Sequence, residues 1–294
     1  MIYLATIFVF IIGASIGSFL NVLIFRLPAG IEVFRRRSFC PYCKTPLKTF
    51  QLVPIFSYFL LGGKCKTCGK SISFQYPAVE AATAILFAAS FISWSQKFSG
   101  QSQFLPQLLL SFLVISVLIV VFVIDLKHGI IPDQVVKIAL IGAIILVFAN
   151  YFSQTLTFFL NLANNLSGFD KYLFPPVAVS QLKFSGLDFA TRLAAGLGVL
   201  VFFTILILVT RGRGLGWGDV KFGFFLGFVF SAPEIFQVLF LSFVIGAFVS
   251  LILVILKLKK FGQTVPFGPF LSIASLATLF FGDKIFNWYF LILA

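Results

Sequence analysis

The sequence predicts an all-α polytopic membrane protein with about eight transmembrane helices and a small zinc-binding loop domain. The first observation is composition: 60% of the 294 residues are hydrophobic and 11% are charged, and the mean hydropathy is +1.08. A soluble domain is about half apolar and about a quarter charged. The second is that several apolar runs reach the roughly 20 residues that cross a bilayer. The third is that all four cysteines fall in one loop.

Apolar runs and the residues that interrupt them define the predicted spans. The spans lie near 2–25, 75–94, 104–124, 130–152, 189–209, 220–232, 235–256 and 265–283. The first run lacks a basic leading segment and a small-x-small cleavage site, so it is predicted to be a retained span. The sixth is short, and Pro233 and Glu234 provide a tight turn into the seventh. An even number of spans places both termini on one side.

The basic residues divide unequally between the two predicted faces. All but five of the 22 Lys and Arg residues lie on the face that carries the 26–74 loop. The exceptions are Lys97, Lys171, Lys183, Arg192 and Lys284. Because cytoplasmic loops are rich in Lys and Arg, the sequence predicts a cytosolic 26–74 loop and outer termini. The basic residues are otherwise scattered, so no nucleic-acid partner is predicted.

The loop at 40–70 predicts a metal site. Its cysteines form two Cys-x2-Cys pairs, Cys40 with Cys43 and Cys65 with Cys68, separated by 21 residues. Two such pairs can complete a tetrahedron around one zinc ion. Two disulfides or four uncoordinated thiols are the alternatives, and a reducing cytosol disfavours disulfides. A closed four-sulfur site has no open position for a reacting water, so the zinc is predicted to be structural.

Two aspartates occupy predicted span ends on the same face. Asp125 ends the third span in "IVVFVIDLKHGIIPD", and Asp219 begins the sixth in "GLGWGDVKFG". Two carboxyl groups in a low-dielectric site can share a proton and act together as acid and base. Gly216 and Gly218 would allow close backbone approach or adopt conformations closed to other residues. Each aspartate alone is equally well interpreted as an interfacial helix-end residue, with Asp219 as an N-terminal cap.

Five ordered motifs resemble those of the type IV prepilin peptidase family. They are "GASIGSFLNVLIFRLP" (13–28), the cysteine loop with the following "QYPAVE" (40–80), "IDLKHGIIPD" (124–133), "GLGWGDVKFG" (214–223) and "VPFGPFLSIAS" (265–275). The resemblance extends over nearly the whole chain. Two departures are an outer segment, 153–188, that looks longer than usual and extra basic charge around "GRGLGWGD".

The resemblance implies a bifunctional enzyme of the bacterial cytoplasmic (inner) membrane. Family members cleave a short basic leader from prepilins or pseudopilins at the cytosolic face, and they methylate the new amino terminus with S-adenosylmethionine. By motif, Asp125 and Asp219 match the catalytic pair of a GxGD-type membrane aspartyl protease. Cys40, Cys43, Cys65 and Cys68 match the zinc ligands. The implied partners are the prepilin substrate and the lipid bilayer.

Several polar residues near these motifs have less definite interpretations. Arg26, Glu32 and Glu80 could face S-adenosylmethionine or substrate, or equally anchor the cysteine loop; the residues that bind the methyl donor stay unassigned. Asp133 resembles a position in the first aspartate motif and is read as supporting the site. His128 is read as an interfacial polar residue rather than as a third catalytic group.

The implied domains are a first transmembrane helix (1–25), a four-cysteine domain associated with methyl transfer (26–74) and a membrane peptidase domain (75–294) with an outer loop near 153–188. Two other function classes stay open. An ion- or proton-coupled transporter would place acidic residues near mid-bilayer or show inverted repeats. A non-catalytic zinc-ribbon scaffold would tolerate loss of either aspartate.

Overall fold

The computed structural model describes residues 2–33, 37–98, 101–165, 176–212, 214–258 and 265–293. These residues form α1 (Ile2–Arg26), α2 (Phe56–Leu60), α3 (Gln75–Phe98), α4 (Phe104–His128), α5 (Asp133–Asn165), α6 (Pro176–Thr210), α7 (Trp217–Phe230), α8 (Glu234–Ile255) and α9 (Gly268–Leu293), with a 3₁₀ helix at Thr49–Leu52. Within the described ranges β-structure is limited to two isolated bridges in the cysteine loop. The predicted all-α class is confirmed.

Seven of the described helices are long and apolar enough to cross a membrane, namely α1, α3, α4, α5, α6, α8 and α9. The predicted sixth span corresponds to α7, which has 14 residues. At 1.5 Å per residue α7 is about 21 Å long, whereas the hydrocarbon core of a bilayer is about 30 Å thick. The predicted set of about eight spans is therefore seven long helices and one short one.

Helices α5 and α6 extend past the predicted spans into the 153–188 segment. Helix α5 continues to Asn165 and α6 begins at Pro176. Residues 166–175, the middle of the predicted outer loop, lie outside the described residues. The described parts of this segment are helical.

Helix α4 lies at the centre of the bundle. Its Ile115, Ile119 and Ile124 pack in a cluster of buried side chains with α1 and α3. Its Val114 and Leu118 pack in a second cluster with α5 to α9. In a membrane-length stretch of α4, 67% of the residues are buried, compared with 17% in the corresponding stretch of α8. The C-terminal turn of α4 is therefore fixed relative to both clusters.

Helices α1 and α3 approach each other closely at glycines. A Cβ atom at Gly13 would lie 2.8 Å from the Cα of Ala84, and one at Gly17 would lie 2.7 Å from the Cα of Glu80. Small residues permit such close contact between membrane helices. The two helices run beside the cysteine loop at their adjoining ends. We call the end of the bundle that carries residues 37–74 the cysteine face.

The short helix α7 is held at its far end by Arg192 of α6. The Nη1 of Arg192 donates to the carbonyl of Val229 at 2.7 Å, and its Nε donates to Asp188 Oδ2 at 3.3 Å. The Tyr151 hydroxyl of α5 donates to the same Asp188 oxygen at 2.9 Å. This network satisfies an end carbonyl of α7 and joins α7 to α5 and α6, at the end of α7 opposite Asp219.

The close packing of α1 on α3 gives a stability prediction. Gly13→Ala is expected to lower the free energy of unfolding by about 1–3 kcal/mol, because backbone rather than a flexible side chain must move. In the matched control Gly198→Ala, the new Cβ has no atom within 4 Å. That change is expected to be neutral or stabilising by up to about 1 kcal/mol through helix propensity. Thermal unfolding of the purified variants in detergent measures both, and equal effects would contradict the packing.

Candidate functional site

Asp125 and Asp219 line the same cavity on the cysteine face. Asp125 comes from the last turn of α4 and Asp219 from the first turn of α7. The cavity has a volume of about 560 Å³ and is closed on a third side by Val265, Pro266 and Phe267. Asp125 is 4% exposed and Asp219 is 8% exposed. The structure thus brings together the two predicted aspartates and a third motif, the segment that leads into α9.

Each carboxylate accepts one hydrogen bond from a glycine backbone. The N–H of Gly268 donates to Asp125 Oδ2 at 2.9 Å, and the N–H of Gly216 donates to Asp219 Oδ2 at 2.9 Å. Within the described part of the chain, neither carboxylate has a second donor. Each aspartate is thus fixed through one oxygen, and its Oδ1 is left available to a bound water.

The end of α4 positions Asp125. Gly129 has left-handed backbone with φ 64°, and its N–H donates to the Asp125 carbonyl at 2.8 Å. This is an αL helix cap, a conformation that glycine adopts without a Cβ penalty. The cap ends the helix one turn after Asp125, and the chain then leads through Pro132 into α5.

The start of α7 positions Asp219. Gly216 is the N-cap residue, and Asp219 is the third helical residue, so the Asp219 carboxylate accepts the N-cap N–H. This is one half of a capping box; glycine has no side chain to form the other half. The N-cap residue is therefore Gly216 and not Asp219, which lies at the third helical position and accepts the N-cap N–H from within the shared cavity.

The expectation that the GxGD glycines adopt conformations closed to other residues is wrong. Gly216 has a φ of −94°, and neither Gly216 nor Gly218 is among the glycines with positive φ. Close approach is the reason for Gly218, because a Cβ there would lie 3.0 Å from the Cβ of Ile131. At Gly216 a Cβ would make an ordinary 3.6 Å contact with Asp219 Oδ2.

The glycine with the strongest steric constraint in the site is Gly268. A Cβ at Gly268 would lie 2.6 Å from Asp125 Oδ2, so a side chain there would displace the carboxylate that its own N–H holds. No role was predicted for Gly268 from the sequence, although "VPFGPF" lies within one of the five motifs. The available signal was a glycine before a proline at the start of a helix, inside that motif.

The neighbouring Asp133 and His128 have different surroundings. Asp133 lines the aspartate cavity, and its Oδ2 accepts from Lys221 Nζ at 2.6 Å. Both side chains are about half exposed, at 47% and 48%, so this ion pair adds little stability. It does link the first turn of α5 to the second turn of α7. His128 is exposed and lines a different cavity.

The four cysteines form one cluster built from two equivalent turns. Their sulfur atoms all lie within 4.8 Å of one another. In each turn the first cysteine donates its N–H to the carbonyl five residues later, and its carbonyl accepts the N–H four residues later, at 2.8 to 3.0 Å. That fourth residue is Lys44 in one turn and Gly69 in the other, and both have left-handed backbone, with φ 56° and 68°.

The geometry of the cluster fits a metal ion. The Sγ atoms of Cys40 and Cys68 are 3.9 Å apart. Four sulfurs at 2.3 Å from a tetrahedral zinc would be about 3.8 Å apart, whereas a disulfide requires about 2.05 Å. All four cysteines are free thiols. The four-cysteine cluster could therefore bind zinc, and the disulfide alternative is not what the structure contains.

The pKa values of the thiols also favour a metal ion in the cluster. Side-chain and backbone hydrogen bonds from Thr45 lower the pKa of Cys43 to about 6. A backbone hydrogen bond from Lys70 favours the Cys68 thiolate, but burial and the neighbouring cysteines raise its pKa to about 11. A fourth negative charge is thus unfavourable in the cluster unless a cation is present. A divalent metal ion would supply the compensating positive charge.

A second cavity, of about 630 Å³, lies between the cysteine loop and the ends of α1, α3 and α4. Arg26 and Glu80 line it, and Glu32 is exposed outside it. Arg26 is 3% exposed, and its guanidinium donates to the carbonyls of Val33 and Arg37 at 2.6 and 3.1 Å. Arg26 therefore anchors the loop, which is one of the two roles that the sequence left open for it.

Comparison with known proteins identifies the family. The model of the Bacterial Peptidase A24 N-terminal domain matches residues 11–94, and that of the Type IV leader peptidase family matches residues 170–251. A prepilin leader peptidase/N-methyltransferase of Bacillus subtilis (strain 168) is 32% identical over 282 residues, covering 95% of this chain and 96% of the relative. The chain belongs to the type IV leader peptidase family.

Other family members match at similar length. A protein of the same name from Legionella pneumophila is 30% identical over 305 residues, covering 94% of this chain and 91% of the relative. The matched ranges of the two family models contain the four cysteines and Asp219, and Asp125 lies between them. No solved structure matches the chain. The resemblance expected from the five motifs is confirmed.

Proposed function

We propose that this protein cleaves the leader peptide from type IV prepilins or pseudopilins and then methylates the new amino terminus. The observation that carries the peptidase part is that Asp125 and Asp219 share one cavity, each held by a glycine N–H through a single oxygen. Relatives that cover nearly the whole chain are named for both activities.

The two carboxyl groups catalyse hydrolysis by sharing one proton. Like charges at short range resist joint ionisation, so one aspartate is charged and the other protonated. The charged one accepts a proton from water as the water oxygen attacks the scissile carbonyl carbon, and the protonated one donates to the carbonyl oxygen. The tetrahedral intermediate then breaks at the C–N bond. The aspartate that took the proton from water gives it to the leaving nitrogen, and the other aspartate takes back the proton of the hydroxyl that becomes the product carbonyl.

The cavity wall supports this chemistry. Ile131, Leu215 and Phe267 provide apolar surface around the carboxylates, and hydrogen bonds act more strongly in a site of low dielectric constant. Both aspartates lie within one turn of a helix end, and not near the middle of a span. This position suits an extended peptide that enters from the cysteine face and disfavours the transporter alternative.

The paired carboxylates predict the effect of Asp→Asn changes. Asp125→Asn or Asp219→Asn is expected to reduce prepilin cleavage at least about a hundredfold, because the amide cannot accept the proton. The double variant should be little worse, since both residues belong to one catalytic unit. Asp283→Asn, a 75% exposed side chain, is the matched control and should cleave normally. Near-normal cleavage by correctly inserted Asp219→Asn would contradict the catalytic assignment of Asp219 and would favour the scaffold alternative.

A backbone variant tests the positioning of Asp125 without changing either acid. Gly268→Ala is expected to reduce cleavage at least about tenfold, because small displacements of a catalytic group are costly. Gly216→Ala is its matched control, since its Cβ meets no close contact. The measurement is kcat for prepilin cleavage, compared between the two variants. Equal activities would show that the hydrogen bond from Gly268 does not position the site.

We also propose that the four cysteines bind one structural zinc ion. The metal would be held by Cys40, Cys43, Cys65 and Cys68, and it would supply folding energy to a loop of roughly 50 residues, which is near the size where a hydrophobic core alone is marginal. The zinc occupies a closed site and takes no part in the transfer chemistry.

The metal proposal predicts about one zinc per purified chain by elemental analysis. Cys65→Ser is expected to lose that zinc and to impair methyl transfer more than leader cleavage, because the loop borders the second cavity and not the aspartate cavity. Metal-free protein that retains both activities, or disulfides in protein purified under reducing conditions, would rule the zinc site out.

We further infer that the cysteine face is the cytosolic face of the bacterial inner membrane. The motivating observation is the concentration of Lys and Arg on that face, and S-adenosylmethionine is available there. Reporter fusions at Phe50 and Asn165 are expected to report opposite compartments, with Phe50 in the cytosol. Both reporters in the same compartment would overturn the topology.

A further inference from the structure

The second cavity is separate from the aspartate cavity and has the size of a ligand site. Its volume of about 630 Å³ lies within the range of about 300–1,000 Å³ that is usual for small-molecule sites. The two cavities share no lining residue, but the last turn of α4 borders both. Asp125 and Leu126 line the first, and Lys127 and His128 line the second.

Glu80 provides a buried negative group in this cavity. It is 8% exposed, and its Oε2 accepts the N–H of Ile55 at 2.7 Å. Ser18 is within hydrogen-bonding reach of the same carboxyl. Both partners are neutral, and no Lys or Arg of the described ranges forms an ion pair with Glu80. A buried carboxylate is costly unless a cation accompanies it, so the site suits a cationic ligand.

Asn21 supplies a second unsatisfied acceptor. It lines the same cavity, is 2% exposed and donates through Nδ2 to the carbonyls of Tyr76 at 3.0 Å and Gly17 at 3.3 Å. These two bonds fix the orientation of the amide. Its buried Oδ1 has no hydrogen-bond donor in the described part of the chain. Buried polar atoms are nearly always paired, so a ligand with N–H donors would complete this wall.

Aromatic side chains also line this cavity. Phe39 and Tyr58 are lining residues, as are Cys40 and Cys65. The ring of a third aromatic lining residue, Tyr42, already has the Lys70 ammonium over it at 4.7 Å. Aromatic faces stack on planar rings and attract cations such as a sulfonium. The cavity thus offers buried acceptors that fit a primary amine and aromatic surface that fits an adenosyl group with a sulfonium centre.

We propose that this cavity is the methyl-transfer site and that Glu80 and Asn21 bind the amino terminus created by leader cleavage. This inference rests on the proposed methyltransferase function and assigns its site. The ammonium group of the new amino terminus first gives a proton to water, which leaves a neutral amine. Its lone pair then forms the N–C bond to the methyl carbon while the C–S bond of S-adenosylmethionine breaks and the electron pair stays on sulfur. The products are an N-methylammonium group and S-adenosylhomocysteine.

The position of Glu80 fits a substrate that is anchored in the membrane. Glu80 is the sixth residue of α3, so it lies about 7.5 Å along the helix from its start. Gln75 at that start accepts a hydrogen bond from Lys127 of α4, which holds the two helix ends together. A new amino terminus therefore has to pass only the last turn of α4 to move from one cavity to the other.

The test uses Glu80→Gln in the full-length protein, with Glu32→Gln as the matched control. Glutamine keeps an oxygen for the Ile55 N–H and removes the charge. Methyl transfer is measured on a short synthetic peptide with the amino-terminal sequence that follows the leader of a prepilin. Binding of the same peptide, fluorescently labelled at its C-terminus, is measured with a free and with an acetylated amino terminus. Binding of S-adenosylhomocysteine and prepilin cleavage report on the donor pocket and on folding.

Glu80→Gln is expected to lower kcat/KM for methyl transfer at least about tenfold, since a hydrogen bond to a charged group is lost. It should bind the free-amine peptide no better than the acetylated one, whereas the parent and Glu32→Gln should prefer the free amine. Cleavage and S-adenosylhomocysteine binding should be unchanged. If Glu80→Gln loses cleavage as well, Glu80→Asp, which keeps the charge, should retain cleavage and the preference for the free amine; loss of that preference would oppose the assignment.

Two results would overturn the inference by different routes. A parent that methylates the peptide, with Glu80→Gln unaffected in transfer and in amine preference, would exclude Glu80 and this cavity wall while leaving the proposed function intact. A parent that cleaves prepilin but neither methylates the peptide nor binds S-adenosylhomocysteine would overturn the methyltransferase part of the proposed function, and this inference with it.

Discussion

Helix α4 is packed on two sides, and the position of its last turn controls the geometry of the cysteine face. Its apolar side chains belong to both buried clusters, so the helix cannot shift toward one without opening a void in the other. The left-handed cap at Gly129 ends the helix at a fixed point. Asp125 and Leu126 consequently border one cavity and Lys127 and His128 the other. On the proposed assignment of the two cavities, cleavage and methyl transfer would take place on either side of a single helical turn, an arrangement that favours transfer of the product without release into solution.

The aspartate cavity depends on backbone as much as on carboxylates. Each acid is oriented by a glycine N–H, and at Gly268 the absence of a side chain is what permits the contact. Rigid donors of this kind hold a catalytic group without the entropy cost of ordering another side chain. The short helix α7 brings Asp219 to the same depth, because Arg192 holds its opposite end against α5 and α6. The GxGD segment is thus positioned from both ends of its helix.

The cysteine loop is held together differently from the helix bundle. It contains few regular elements, and its two Cys-x2-Cys turns repeat one hydrogen-bond pattern. Arg26 at the end of α1 binds the carbonyls that lead into the first turn. The loop therefore forms a lid over the ends of α1 and α3, and the buried acceptors Asn21 and Glu80 lie beneath it. Polar groups in this setting are stabilised by a ligand or cost stability, which distinguishes this wall from ordinary helix packing.

The sequence by itself determined the features that depend on local pattern. Hydropathy predicted the long helices because a span must satisfy its backbone within one continuous apolar segment. Cysteine spacing predicted the cluster because each Cys-x2-Cys turn is local, and the shared face of Asp125 and Asp219 followed from counting spans. Tertiary structure alone decided which backbone group holds each acid: Gly268 is 143 residues from Asp125, and no local pattern encodes such a contact. It also decided that Gly218 is needed for close approach to Ile131, and that α1, α3 and the cysteine loop enclose a second cavity. These features arise from packing between distant segments, where side-chain volume and backbone distance, rather than periodicity, set the outcome.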